Sequence, residues 1–205
     1  QLGHDVPPFD FRVPGVTSMS ADTHKFGFAL KGTSVLLYRD ATLRRYQYFT
    51  FPDWPGGLYI SPGMSGSRSG GLIAATWAAM LSTGEQGYLD AAARIYDTAQ
   101  TIKAAVQAQP DLRLFGDGQT FLVGFGAARP VEDGGVDIFL VNDGLAARGW
   151  RLNPDQLPAG LHFCVTLPNT RAGLADEFAS DLAAAVAYAK EHAGEPARSG
   201  ALYGM

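Results

Sequence analysis

A lysine set between two apolar runs is the feature of this chain best placed to do chemistry. His24 precedes Lys25 and Gly27 follows it, in a polar turn that separates GVTSMSAD (15–22) from TSVLLY (33–38). An amine whose stem is buried on such a turn loses hydration, which favours its neutral form, and the neutral amine is the species that condenses with a carbonyl. The same local pattern also fits a solvated turn lysine. Lys31 adds a second cation six residues on and Asp22 an acid just before the turn. Taken alone, His24 reads as a turn histidine, Lys31 as a surface lysine and Asp22 as a strand-end acid. Further along, Gly63, Gly66, Gly70 and Gly71 alternate with Ser65, Ser67 and Ser69 ahead of an apolar helical run. Backbone N–H groups and hydroxyls can converge on an anion there, although a flexible connection has the same composition and the spacing is not that of a Walker loop. His162 and Cys164 are i, i+2 neighbours on an alternating segment with no third orienting group. Strand packing accounts for them, and no catalysis is assigned.

The elements that must position these residues follow from periodicity. The runs at 15–22 and 33–38 are β-branched and nearly continuous in apolar character, which predicts neighbouring strands buried on both faces of a mainly parallel sheet. A proline- and aromatic-rich stretch, FTFPDWPGGLYISPG, leads to the glycine-serine loop and then to a helix over LIAATWAAML, which Thr83-Gly84 ends. From Gln86 to about Gln109, Tyr88, Ala92, Ile95, Ala99, Ile102 and Val106 recur at spacings of four and three, one face of an amphipathic helix. Pro110 marks a domain boundary, giving a first unit over 1–109 and a small α+β domain over 110–205. In the second, strands are expected at Gln119–Phe125, around Trp150–Leu152 and at Leu161–Leu167, with helices at Val136–Ala147 and Leu174–His192. Phe178, Leu182 and Val186 form the buried stripe of the last helix.

The bulk properties narrow the partners. Sixteen basic and twenty acidic side chains give a net charge of −4 over 205 residues, which offers no footprint for a nucleic-acid backbone or an anionic membrane. Cys164 is the single cysteine and the four histidines are scattered. Neither a disulfide nor a metal site at ligand spacing is expected, and a reducing, cytoplasmic setting fits. No segment has the length and apolarity of a membrane span, and the opening QLGHDVPPFDFRVPG reads as a chain entered midway.

The string SMSADTHKFGFALKGTSVLLYR (18–39) resembles the cofactor-lysine segment of the sphingosine-1-phosphate lyase family, within the decarboxylase-like enzymes of the aspartate-aminotransferase fold. PPFDFRVPGVTS upstream, YISPGMSGSRSGG, VDIFLVNDGLAARGW and LHFCVTL downstream resemble the same family in the same order. The resemblance implies an α/β chain: the C-terminal part of a pyridoxal-phosphate-binding large domain, followed by a small α+β domain. It implies that Lys25 binds pyridoxal 5'-phosphate covalently and that His24 contacts the cofactor phosphate. Gly66 and Ser67 would reach the phosphate of a neighbouring subunit, and Lys31 would face the substrate phosphate. Leu30 stands where the family carries a proline. The implied reaction cleaves a carbon–carbon bond in a phosphorylated sphingoid base to give a long-chain aldehyde and phosphoethanolamine. The implied assembly is a homodimer, or a complex with the N-terminal half of the enzyme. Two alternatives stay open. One is an amino-acid decarboxylase, for which Arg68, Arg148 or Arg151 would meet the substrate carboxylate; the other is a non-catalytic fragment lacking half of the cofactor pocket.

Overall fold

The computed structural model describes residues 1–116, 118 and 120–200. The chain divides into two compact units, one formed by Val6–Tyr88 and one by Gln1–Asp5 with Leu89–Met205. His4 belongs with the second because its ring stacks on Tyr96 at 3.7 Å.

In the first unit, β1 (Ser18–Asp22) pairs with β2 (Ser34–Tyr38) in register Ser18↔Tyr38 to Asp22↔Ser34. The pairing is antiparallel, not parallel as the apolar runs suggest. Residues 23–33 turn back through hydrogen-bonded turns and contain no helix, and a parallel pair needs a longer crossover. Every strand pairing among the described residues is antiparallel. The two strands are also exposed within this chain: Val35, Leu36 and Leu37 retain 42–47% of their surface. A four-residue helix, α1 (Ala41–Arg44), starts at Asp40, whose carboxylate accepts from the N–H of Leu43 at 2.8 Å. The aromatic stretch forms a hairpin of β3 (Phe49–Phe51) and β4 (Tyr59–Ser61). Phenylalanine, tyrosine and isoleucine suit the strands, and Pro52 and Pro55 fall in the turn between them, where no ladder bond is lost.

The helix α2 (Gly70–Gln107) follows the glycine-serine loop. Gly84 is non-helical (φ 62°, ψ 171°) and interrupts it where the sequence places the end of the first apolar run. Past that break the buried face is Ala91, Ile95, Ala99, Ile102 and Val106. Ala91 takes the place expected of Ala92, which is exposed.

The second unit holds the apolar core. A four-stranded antiparallel sheet runs in the order β5-β6-β8-β7. Its strands are β5 (Leu112–Leu114), β6 (Leu122–Ala127), β7 (Asn153–Gln156) and β8 (Ala159–Cys164). Its helices are α3 (Ile138–Ala147) and α4 (Leu174–Glu191). The strand expected from Gln119 begins at Leu122, and Gln119 itself lies outside the described residues. Phe125, Leu161, Phe178 and Leu182 are fully buried. Trp150, Phe163 and Phe178 pack edge to face at centroid distances of 5.0–6.0 Å. Alternation along β8 is as read from the sequence: Leu161 and Phe163 point inward, while His162 is half-buried and hydrogen-bonded through Nδ1 to Asp155 at 3.0 Å. Lys103 departs from its pattern. It is only 5% exposed on the core-facing side of α2, and its ammonium donates to the carbonyls of Gly118 and Thr120.

Candidate active site

The first unit carries the candidate chemistry, and its architecture is built around the lysine turn. The N–H of Lys25 donates to the carbonyl of Asp22 (3.2 Å), the N–H of Phe28 to that of Lys25 (3.1 Å), and the N–H of Ala29 to that of Thr23 (3.0 Å). Gly27 is required by space, because a Cβ there would meet the Thr23 carbonyl oxygen at 2.5 Å. Phe28 sits at φ +56°, in the left-handed region. Buried Thr23 anchors the base of the turn: its hydroxyl donates to the Thr33 carbonyl at 3.0 Å and meets the Thr33 hydroxyl, which in turn meets that of Thr76 on α2 at 2.8 Å. The hydroxyl of Tyr88 donates to the carbonyl of Gly27 at 2.9 Å. Neither Thr76 nor Tyr88 stands out in the sequence for this role, since both read as helix-face residues and their partners lie far away along the chain.

Lys25 and His24 face different clefts. His24 lines an open cleft of about 670 Å³ with Asp22, Gly32, Thr33, Ser34, Ser65, Ser67, Arg68, Ser69 and Ile73. Nδ1 of His24 is buried and without a hydrogen-bond partner. Hydroxyls, a guanidinium and an imidazole nitrogen therefore converge on one space, a donor set suited to a phosphate. Lys25 lines a second, mostly apolar cleft of about 600 Å³ with Phe26, Val35, Met80 and Tyr88. Asp22 borders both clefts, 3.5 Å from Nζ of Lys25 and 3.9 Å from Nε2 of His24. The Lys25 side chain is 67% exposed within this chain, not buried as the turn between apolar strands suggests, because those strands are themselves exposed.

Gly66 stands in the glycine-serine loop at φ +62°, and Ser67 shares the cleft of His24 in the same chain. Lys31 is exposed on the turn before Gly32 and lines neither cleft. Of the three candidate arginines, Arg68 alone lies at a cleft of this unit. Arg148 donates to the carbonyl of Gly144, and Arg151 to those of Ala146 and Trp150, all in the second unit.

No protein-family model matches the chain. The Drosophila melanogaster sphingosine-1-phosphate lyase is 46% identical over 204 residues, which are 99% of this chain and 36% of that protein. The chain thus spans about a third of the length of the curated relatives it matches. Among solved structures, the Burkholderia pseudomallei sphingosine-1-phosphate lyase superposes with a TM-score of 0.84 at 54% identity, covering 93% of this chain and 42% of that one. The Lactobacillus brevis glutamate decarboxylase superposes with a TM-score of 0.70 at 20% identity, over 89% of this chain and 42% of that one, a likeness of fold alone. The fold class is accordingly the α/β fold of these decarboxylase- and aminotransferase-like enzymes. By sequence and by structure together, the chain belongs, as a partial C-terminal portion, to the sphingosine-1-phosphate lyase family.

Proposed function

We propose that the protein to which this chain belongs is a pyridoxal-phosphate-dependent carbon–carbon lyase acting on phosphorylated sphingoid bases. The observation that supports this reading best is the pairing of a constrained Lys25 turn with a His24, Ser67 and Arg68 cleft, in a chain 46% identical to a lyase of that name. The cleft fits the phosphate of the cofactor: the unpartnered Nδ1 of His24, the Ser67 hydroxyl and the Arg68 guanidinium would hold it. Gly66 at positive φ lets the loop backbone approach the same anion, in this subunit or in its neighbour. Lys25 would hold the cofactor covalently until the substrate amine takes its place, and Asp22 at 3.5 Å orients the amine. When bound, pyridoxal phosphate supplies an electron sink for the pair released as the carbon–carbon bond breaks. Phe26, Val35 and Met80 give the second cleft an apolar wall beside Lys25.

Incubating the full-length protein with sphingosine 1-phosphate is expected to release a long-chain aldehyde and phosphoethanolamine, detected by mass spectrometry. Carbon dioxide release from an amino acid, with no aldehyde, would instead support a decarboxylase using Arg68 as the carboxylate partner.

Lys31 is proposed to contact the substrate phosphate. A charge-assisted contact of this kind contributes about 1.5–3 kcal/mol, so Lys31→Ala is expected to weaken phosphorylated substrate by about ten- to a hundred-fold. The cofactor spectrum stays unchanged in that variant, and an unphosphorylated analogue loses nothing. An equal loss with both substrates would remove Lys31 from the site.

A further inference from the structure

We propose that Tyr88 is a positioning residue for Lys25, holding the turn from which the lysine amine acts; the inference rests on the pyridoxal-phosphate reading above. Tyr88 grips one peptide unit from both of its ends. Its hydroxyl donates to the carbonyl of Gly27 at 2.9 Å, and its ring stacks on Phe28 with centroids 5.7 Å apart and planes 16° from parallel. That peptide unit needs the grip. Phe28 lies at φ +56°, a conformation that a bulky side chain adopts at a cost, and its N–H closes the turn on the carbonyl of Lys25 at 3.1 Å. Without the tyrosine hydroxyl, one restraint on the Gly27–Phe28 peptide is gone, and Phe28 more often relaxes out of the left-handed region and releases the bond back to Lys25. Tyr88 also lines the cleft that Lys25 enters, so the residue that fixes the turn also forms a wall beside the amine.

The consequence is a conformational one. If the turn holds its shape for a smaller fraction of the time, apparent cofactor affinity falls by that fraction, even though no group touching the cofactor has changed. One hydrogen bond of ordinary net strength corresponds to a change of up to about tenfold.

The test compares full-length parent and Tyr88→Phe, which keeps the ring and its stacking and removes only the donor. Borohydride reduction across a range of pyridoxal phosphate concentrations, followed by peptide mapping, gives the apparent affinity at Lys25. Visible circular dichroism of the bound chromophore reports its orientation. We expect affinity about tenfold weaker and an altered dichroic band, with the melting temperature of the cofactor-free protein unchanged. Unchanged affinity and dichroism would overturn the proposal, as would a loss that merely follows a lower melting temperature. Hydrogen exchange on the cofactor-free parent gives a reading that needs no variant: the N–H groups of Phe28 and Ala29 are expected to be protected, and free exchange at both would also overturn it. Failure of the parent itself to capture cofactor at Lys25 would count against the lyase reading instead, so the two failures are distinguishable.

Discussion

Lys25→Ala is expected to abolish covalent capture of pyridoxal phosphate, with no residual labelling elsewhere in the chain. The chain has four lysines, and none of the other three lines either cleft. Lys103 is 5% exposed and its ammonium is engaged by two carbonyls. Lys190 is paired with Asp111 at 2.7 Å in the second unit, and Lys31 lines neither cleft. Only Lys25 combines a constrained backbone, an apolar wall and a phosphate-suited cleft on the neighbouring side of its turn. The measurement is borohydride reduction of the full-length parent and variant with peptide mapping. A pyridoxyl group found on Lys31, Lys103 or Lys190 in the parent would refute the assignment.

The 205-residue chain on its own is expected to form a dimer, a larger complex or aggregates in solution. Among the described residues every buried apolar side chain lies between Ala91 and Ala189, whereas the buried residues of Val6–Tyr88 are the polar Thr23 and Ser61. That first unit exposes Val35, Leu36 and Leu37 on β2 and Trp77, Met80 and Leu81 on α2. A two-stranded ribbon with unpaired edges and this much apolar surface is a strong driver of association, since isolated hairpins are marginal in water. Light scattering coupled to size-exclusion chromatography decides the matter. A stable monomer with complete pyridoxal phosphate binding would contradict both the reach of Gly66 and Ser67 to a neighbouring subunit that the family resemblance implies and the association expected of these surfaces.

The lysine turn was legible because its chemistry is local: Lys25, His24 and Gly27 stand together, and the resemblance covers the same string. The stripe of α4 was equally plain, with Phe178, Leu182 and Val186 all buried, because a helix displays its core face in its own period. Strand direction was not legible. A continuous apolar run signals burial on two faces, yet direction is set by the connection, and residues 23–33 allow only an antiparallel return. The β3–β4 hairpin was hidden by its prolines, which argue against strands unless they fall in the turn. Ala91 displaced Ala92 because spacings of three and four both lie on one helical face, and packing chooses between them. Tyr88 was recognised as a helix-face residue, but its bond to Gly27 spans 61 positions, and no periodicity reports a partner at that distance.

Lys103 has one more consequence, for the proton balance of unfolding. Burial pushes its amine below the ordinary lysine range, the cost of desolvating the charge outweighing what the carbonyls of Gly118 and Thr120 return. The unfolded chain, with the same amine in water, holds the proton more tightly. Opening the second unit therefore takes up hydrogen ions in the interval between the folded value and the ordinary one of 10.5. Across that interval the contribution of Lys103 to stability rises with pH; it is complete only above the ordinary value and is lost as pH falls through the folded one. As pH rises toward the ordinary lysine value this single side chain thus makes the α+β unit firmer, while below the folded value its buried charge is a standing cost that the surrounding apolar packing must outweigh.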